Sequence, residues 1–334
     1  MNANGTYNGV ELGATMGVYN GLNGGAGNGV ASNETNSLNI PILDRFPGAA
    51  AAYSLRKLRT QYSGPVIRVR RSSDNLETDI GFDSSGNLNT NQLIQFVGAN
   101  NGFVSIWYSQ GVDSNVNFSQ TTQGSQPRIV NAGIIDLQNG KPALVFDGTD
   151  DFMDVLSSLG SFNYLHNGTD CFMASVQRFG NVSDPNASYA LINNNGLSVN
   201  SIGYSMFFDD RASIPRNNAV AVFIGPTNVS TNVALNFATP NTQLLITQII
   251  DANNITAANR SILYLNGGSE TKNNTIAGAV SLANAPDNMR LGRISNGATF
   301  NLLGSVQEIV MWNVDKTSNR NDIEQNINQY YKIY

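Results

Sequence analysis

Three turn signals in this chain, Asn139-Gly140, Asp147-Gly148 and Asn266-Gly267-Gly268, each fall between two short apolar runs. A two-residue hairpin loop holds its central residues at positive φ, which Gly, Asn and Asp accept and β-branched residues resist. A chain punctuated in this way folds into antiparallel hairpins. Its composition extends the signal, with 48 Asn and 32 Gly among 334 residues.

Between the turns, strand patterns are expected at 103–108, 128–135, 142–147, 171–177, 203–209, 219–224, 243–250, 261–266, 288–293 and 305–313. An earlier strand, VIRVRR, sets Ile67 and Val69 on one face and Arg68 and Arg70 on the other. Helical spacing occurs in three places. After Pro47, GAAAAYSLRKLRTQYSG aligns Ala51, Leu55, Leu58 and Tyr62, with Gly64-Pro65 as its stop. TNQLIQFVG predicts a second helix over 90–98. A third starts near Ser318, with Ile323, Ile327, Tyr330 and Tyr334 as its stripe, Asp322 in its first turn and Lys332 in its last. Some ten short strands without alternating helices predict a mainly β protein: an antiparallel β-sandwich of jelly-roll type, with an N-terminal helix, a C-terminal helix and an extended N-terminal arm. The arm, residues 1–46, is Gly/Asn-rich and aperiodic, and the sandwich occupies 47–334. Tyr7, Val10, Leu12, Met16, Val18, Tyr19 and Leu22 dot the arm with apolar anchors, a pattern suited to docking on a partner.

Composition excludes several functions. Hydrophobic residues reach 41%, enough for a substantial core, while charged residues are only 13% and the net charge is −5. That charge does not suit a nucleic-acid binder. One Cys excludes an internal disulfide and a Cys-rich metal site, and one His excludes a multi-histidine centre. No apolar run approaches about 18 residues, so no membrane span is expected. The opening MNANGTYNGV has neither a basic nor an apolar leader segment, so Sec-type export is not expected either.

Three stretches carry a resemblance. AAYSLRKLRTQYSGPVIRVRRSSDNLETDIGF, with VSIWYSQ and KPALVFDGTDDF, resembles the concanavalin A-like β-sandwich of family 54 arabinofuranosidases and is similar to sandwich domains of tailed-bacteriophage virion proteins. ILYLNGG, MRLGR and FNLLGSVQEIVMWN with the terminal helix resemble the second half of a laminin-G-like sandwich. The resemblance spans roughly residues 47–334. It departs at Trp107-Tyr108-Ser109-Gln110, where the family pattern W-Y-D-Q carries Asp in place of Ser109, and the Gly-Asn loop that follows is rebuilt.

Asp147, Asp150, Asp151 and Asp154 in FDGTDDFMD form the densest carboxylate group. Asp147, Asp150 and Asp151 are candidate ligands for Ca²⁺, the only cofactor the sequence suggests. The resemblance makes the same segment a strand-turn-strand device with Phe146 and Phe152 in the core. Glycoside hydrolysis needs two carboxyl groups about 5–9 Å apart. The six Glu (Glu11, Glu34, Glu77, Glu270, Glu308 and Glu324) match neither catalytic residue of the arabinofuranosidases, and no catalytic residue is assigned. Within the basic cluster, Arg68 and Arg70 are expected to pair with Asp74, Glu77 or Asp79, leaving Arg56, Lys57 and Arg59 facing solvent. His166 reads as a surface side chain, Cys171 as a buried small hydrophobe, and Trp107 and Trp312 as core residues.

Together these features predict a non-enzymatic virion surface protein, a head-fibre, decoration or tail-fibre component. In this reading the arm docks on phage capsid or tail proteins, the resemblance implies a homotrimer, and a lectin-like sandwich binds glycans weakly. A glycan hydrolase and a ligand-free capsid cement are the alternatives.

Overall fold

The computed structural model describes residues 40–180, 188–195, 201–209, 218–225, 230–272, 278–295, 297 and 299–334. The candidate docking residues Tyr7, Val10, Leu12, Met16, Tyr19 and Leu22 lie outside them.

The chain is mainly β: among the described residues nineteen strands pair antiparallel in one large sheet, and two more form a separate hairpin. Leu303–Trp312 is central to one half. One side of it takes Ala49–Ser54 and Leu144–Asp147; the other takes Cys171–Phe179, followed by Gln243–Ile250 and Ser261–Leu265. The other half starts at Glu77–Ile80, Ile67–Arg71 and Gly102–Trp107. It continues through Arg128–Asn131, Phe118–Ser119, Met153–Val155, Met289–Leu291, Ser188–Asn193, Gly203–Asp209, Ala219–Gly225 and Ser230–Ala234. The halves join where Leu144–Asp147 meets Arg128–Asn131, with Val145 opposite Arg128.

Past this seam the sheet folds over, because each strand has an apolar face to remove from water. Tyr53, Met173, Ile246, Ile309 and Met311 from one half share a core with Val104, Trp107, Phe118, Met153, Met206 and Leu291 from the other. The first half is buried on its outer face too. Ala49, Ala52, Phe172, Ala174, Val310 and Trp312 pack there against Ile42, Leu43, Ile323, Ile327 and Tyr331 of the helices Ile42–Arg45 and Arg320–Tyr331.

This second core explains the main correction to the fold. The helix expected after Pro47 is instead the strand Ala49–Ser54, followed by a loop. Its alanines lie between two cores, Ala51 and Tyr53 facing one and Ala49 and Ala52 the other, so the small side chains serve tight layering and pairing overrides helix propensity. Gly111 approaches so closely that a Cβ there meets Ala49 O, Ala50 O and Ala51 Cα at 2.9 Å. Residues 41–46, grouped with the arm by composition, pack on this outer core through Ile42, Leu43 and Phe46, and Phe46 O accepts from Trp312 Nε1.

The helix at Thr90–Val97 is present, its Asn89 cap accepting from Gln92 N. The terminal helix ends at Tyr331, which takes the core position that the stripe assigned to Tyr334; Tyr334 itself is exposed. The single strand expected over 128–135 is a hairpin, turned by Ala132 and Gly133 at φ +48° and +80°. Asn139-Gly140 closes the two-residue hairpin that the sequence predicts.

Candidate functional site

Four strands cross the seam side by side, and their register sets one row of residues across them: Arg70 opposite Phe103, Phe103 opposite Arg128, and Arg128 opposite Val145. Because neighbours along a strand point to opposite faces, Val69, Val104, Ile129, Leu144 and Phe146 go inward and this row goes outward. The row floors a cleft of about 400 Å³, walled by Gln123, Gly124 and Gln126 on one flank and Asp147 and Asp151 on another.

The acidic wall is built by the turn after Leu144–Asp147. Gly148 holds φ at +79°, and Asp147 Oδ1 accepts from Thr149 N at 2.7 Å, closing the turn. Asp151 reaches back so that its Oδ2 accepts from Asp147 N at 2.9 Å. Asp150 Oδ2 accepts from Ser125 Oγ at 3.4 Å. One oxygen from each of Asp147, Asp150 and Asp151 lies within 4.8 Å of the others. Asp147 is exposed, whereas Asp151 is 6% exposed. Burial, reinforced by the adjacent Asp147, pushes the Asp151 carboxyl up to about 7. Two like charges this close, one of them desolvated, are relieved either by a proton or by a cation. The spacing admits the cation as well: oxygens at about 2.4 Å from a shared Ca²⁺ lie no more than about 4.8 Å apart. The three carboxylates named as candidate Ca²⁺ ligands thus lie together in the fold. Asp154 turns away to a bidentate pair with Arg290, at 2.7 and 2.9 Å.

The charges of the floor were not legible in the sequence. Of the carboxylates expected for it, Glu77 stands opposite Arg70 in the pairing of Ile67–Arg71 with Glu77–Ile80 and acts on it through space, without a direct ion pair among the described residues. Arg68 takes Asp79 and Arg71 takes Asp74, while Arg70 donates to Gln126 Oε1 at 2.6 Å, Asn75 Oδ1 at 2.8 Å and Gln123 O at 3.1 Å. Its guanidinium lies 4.8 Å from the centre of the half-buried Phe103 ring. Arg128, next in the row, is neutralised by Asp136 through bonds of 2.8 and 3.1 Å. Alternation along 67–71 marked Arg70 as outward; only pairing across Gly102–Trp107 and Arg128–Asn131 brings it into one cleft with the two carboxylates, which act on Arg128.

Elsewhere the candidates are structural. Arg56 is buried rather than solvent-facing, and grips Glu308 through Nε at 2.8 Å and Nη2 at 2.9 Å, with Ser54 and Tyr331 also bonded to that carboxylate. The loop carrying Ser109-Gln110 is a brace: Ser109 Oγ accepts from Ala52 N, and Gln110 binds Ser54 O, Arg56 O and Leu58 N. His166 is fully buried, its Nε2 3.0 Å from Ala283 O, correcting its surface placement. Trp107, Trp312 and Cys171 are buried as expected. Glu324 pairs with Arg320 and Glu270 with Lys272, and no glutamate lines the cleft.

No protein-family model matches the sequence, and no curated protein sequence does. Among solved structures, an arabinofuranosidase complexed with arabinofuranosyl-α-1,2-xylobiose is similar over 86% of this chain, with a TM-score of 0.59 and 13% identity. A GH54 α-L-arabinofuranosidase with a Glu-to-Gln substitution, soaked with 4-nitrophenyl α-L-arabinofuranoside, gives the same values, and a GH54 enzyme soaked with a cyclic sulfate inhibitor gives a TM-score of 0.57. The chain spans 64% of the length of each. The likeness is one of fold. The solved structures that share it are glycoside hydrolases, which corrects the expectation of a non-enzymatic virion component.

Proposed function

We propose that this chain is a glycoside hydrolase built on a concanavalin A-like sandwich, with its active site in the seam cleft. One observation carries the reading: a carboxyl that burial raises to about 7, so that part of it keeps its proton at neutrality, stands beside a second carboxylate in a cleft whose floor includes an aromatic ring. The family 54 fold likeness supports it, and arabinofuranosides are the first substrates to try.

In this mechanism Asp151 is the acid and Asp147 the nucleophile. The Asp151 proton passes to the glycosidic oxygen as the bond from that oxygen to the anomeric carbon breaks, and the leaving group departs as an alcohol with the bonding pair. An Asp147 oxygen bonds to the anomeric carbon. Asp151, now a carboxylate, takes a proton from water, whose oxygen attacks the same carbon and releases Asp147. The close spacing fits this double displacement, for which carboxyl groups stand about 5–5.5 Å apart, and not the wider 6.5–9.5 Å of single displacement. Anomeric configuration is therefore retained.

The test is hydrolysis of a panel of 4-nitrophenyl glycosides and plant and bacterial polysaccharides by the full chain and by Asp147→Asn and Asp151→Asn. Loss of about 10²–10⁴-fold in kcat/KM is expected for each. Hydrolysis untouched by both substitutions, or no hydrolysis across the panel, overturns the assignment.

A further inference from the structure

The row that floors the cleft does not stop at Val145. Val145 stands opposite Ser305, Ser305 opposite Arg178, and Arg178 opposite Gln243. The same outward face therefore continues across Leu303–Trp312 and Cys171–Phe179 to the start of Gln243–Ile250. Two raised edges flank this continuation. On one side the hairpin 137–142 rides over Gln307, whose Nε2 donates to Gln138 O, Lys141 O and Pro142 O at 3.1 Å. On the other is the acidic turn, where Thr149 O accepts from Asn301 Nδ2 at 2.5 Å.

Arg178 differs from the arginines of the cleft. Arg68, Arg71 and Arg128 take carboxylates directly, and Glu77 acts on Arg70 from the facing strand. Arg178 is partly buried, and burial alone lowers its guanidinium from the ordinary value; no charged group of the described residues acts on it. One bond holds it: Nη1 donates to Asn241 Oδ1 at 2.9 Å, and Asn241 is itself fixed by its N–H to Phe179 O at 2.7 Å. Nε is buried without a partner, and Nη2 makes no hydrogen bond among the described residues. The neighbours in the row are incomplete too. Ser305 is 2% exposed and Gln243 8%, yet Ser305 Oγ and Gln243 Oε1 have no partner. Buried polar atoms are nearly always bonded, so three such atoms in one row mark a place that a polar ligand completes. Donors and an acceptor around a positively charged fork match a hydroxyl-rich molecule that carries an anionic group.

Resting on the hydrolase reading of the seam cleft, we infer that its substrate is a glycan chain laid along this row, cut at the Asp147–Asp151 wall and carrying a carboxylate or sulfate that Arg178 binds. Cys171–Phe179 lies two strands from Leu144–Asp147, about 10 Å at the usual spacing. The charged unit is therefore a neighbour of the unit cleaved and not that unit itself. A net charge of −5 repels polyanions in general, which makes this local cation the point of selection.

The experiment is calorimetric titration of full-length Asp147→Asn protein with two sets of tetramers: glucuronate, galacturonate and mannuronate chains with their methyl esters, and sulfated galactan chains with their desulfated counterparts. At least one charged chain should bind about tenfold or more tightly than its neutral partner, and Arg178→Gln should close that gap while Arg178→Lys keeps part of it. A gap within the uronates identifies the group as a carboxylate, and a gap within the galactans identifies it as a sulfate. Equal binding of every charged chain and its neutral partner overturns the inference, and this comparison needs no Arg178 variant to fold. A gap that survives Arg178→Gln overturns it as well. The two proposals separate cleanly. Neutral glycans cleaved with dependence on Asp147 and Asp151 but without preference for charge sink the present inference alone. Charged chains bound through Arg178 but never cleaved sink the hydrolase reading and leave the Arg178 site standing.

Discussion

Substituting Asp151 by Asn tests the electrostatics of the cleft without reference to any substrate. The carboxyl is 6% exposed, and it titrates at about 7 in the fold against 3.8 for the free side chain, chiefly through burial and then through Asp147. A carboxyl raised in this way binds its proton more tightly when folded. Its stabilising contribution is complete below about pH 4 and is lost as pH rises through about 7. The difference between the two titration points corresponds to about 4 kcal/mol above neutrality. Asn keeps an oxygen to accept from Asp147 N and has no proton to lose, so the substitution removes the penalty and spares the hydrogen bond. Melting curves of both proteins at pH 4, 5.5 and 8 are the assay. The variant should match the parent within about 1 °C at pH 4 and exceed it by roughly 5–10 °C at pH 8. A gap that stays constant with pH would show that Asp151 is an ordinary carboxylate, and the acid assigned to it falls. The parent's glycosidase activity should decline above about pH 7 for the same reason.

The remaining predictions concern the same turn and the frame behind it. If a cation relieves the acidic wall, millimolar Ca²⁺ raises the melting temperature and Asp150→Asn abolishes the increase; an unchanged melting temperature in Ca²⁺ rejects a cation at Asp147, Asp150 and Asp151. Glu308→Gln leaves Arg56 buried without its counterion and should destabilise by about 3–5 kcal/mol, read by urea unfolding. A cost below about 1 kcal/mol shows that water reaches the pair. Gly111→Ala forces a methyl against the backbone of Ala49–Ala51 and should cost about 1–3 kcal/mol, with no cost indicating that the loop slides freely over the strand.

Much of the fold was legible because the turn chemistry is local. Asn139-Gly140 makes its own hairpin, and runs such as 203–209 and 243–250 coincide with strands because apolar patterning and flanking turns determine them together. Failures came where two distant elements cover one segment. Ala49–Ser54 reads as helix because alanine favours helix, and it is a strand because Leu303–Trp312 pairs with it and the helix Arg320–Tyr331 covers its outer face. Arg56 reads as solvated because nothing in its neighbourhood announces Glu308, 252 residues away.

The cleft divides in the same way. The acidic wall is written in consecutive residues, since Asp147, Asp150 and Asp151 lie within one turn and Gly148 folds that turn back on itself. Alternation along the strand also points Arg70 away from Val69. The strands and loops packed around this segment set which of its arginines take a carboxylate directly, Arg68 and Arg71 but not Arg70. Only the register of four strands decided that Arg70, Phe103, Arg128 and Val145 form one row. A turn's geometry follows from a few consecutive dihedral preferences, whereas strand order depends on which apolar faces meet across the whole chain.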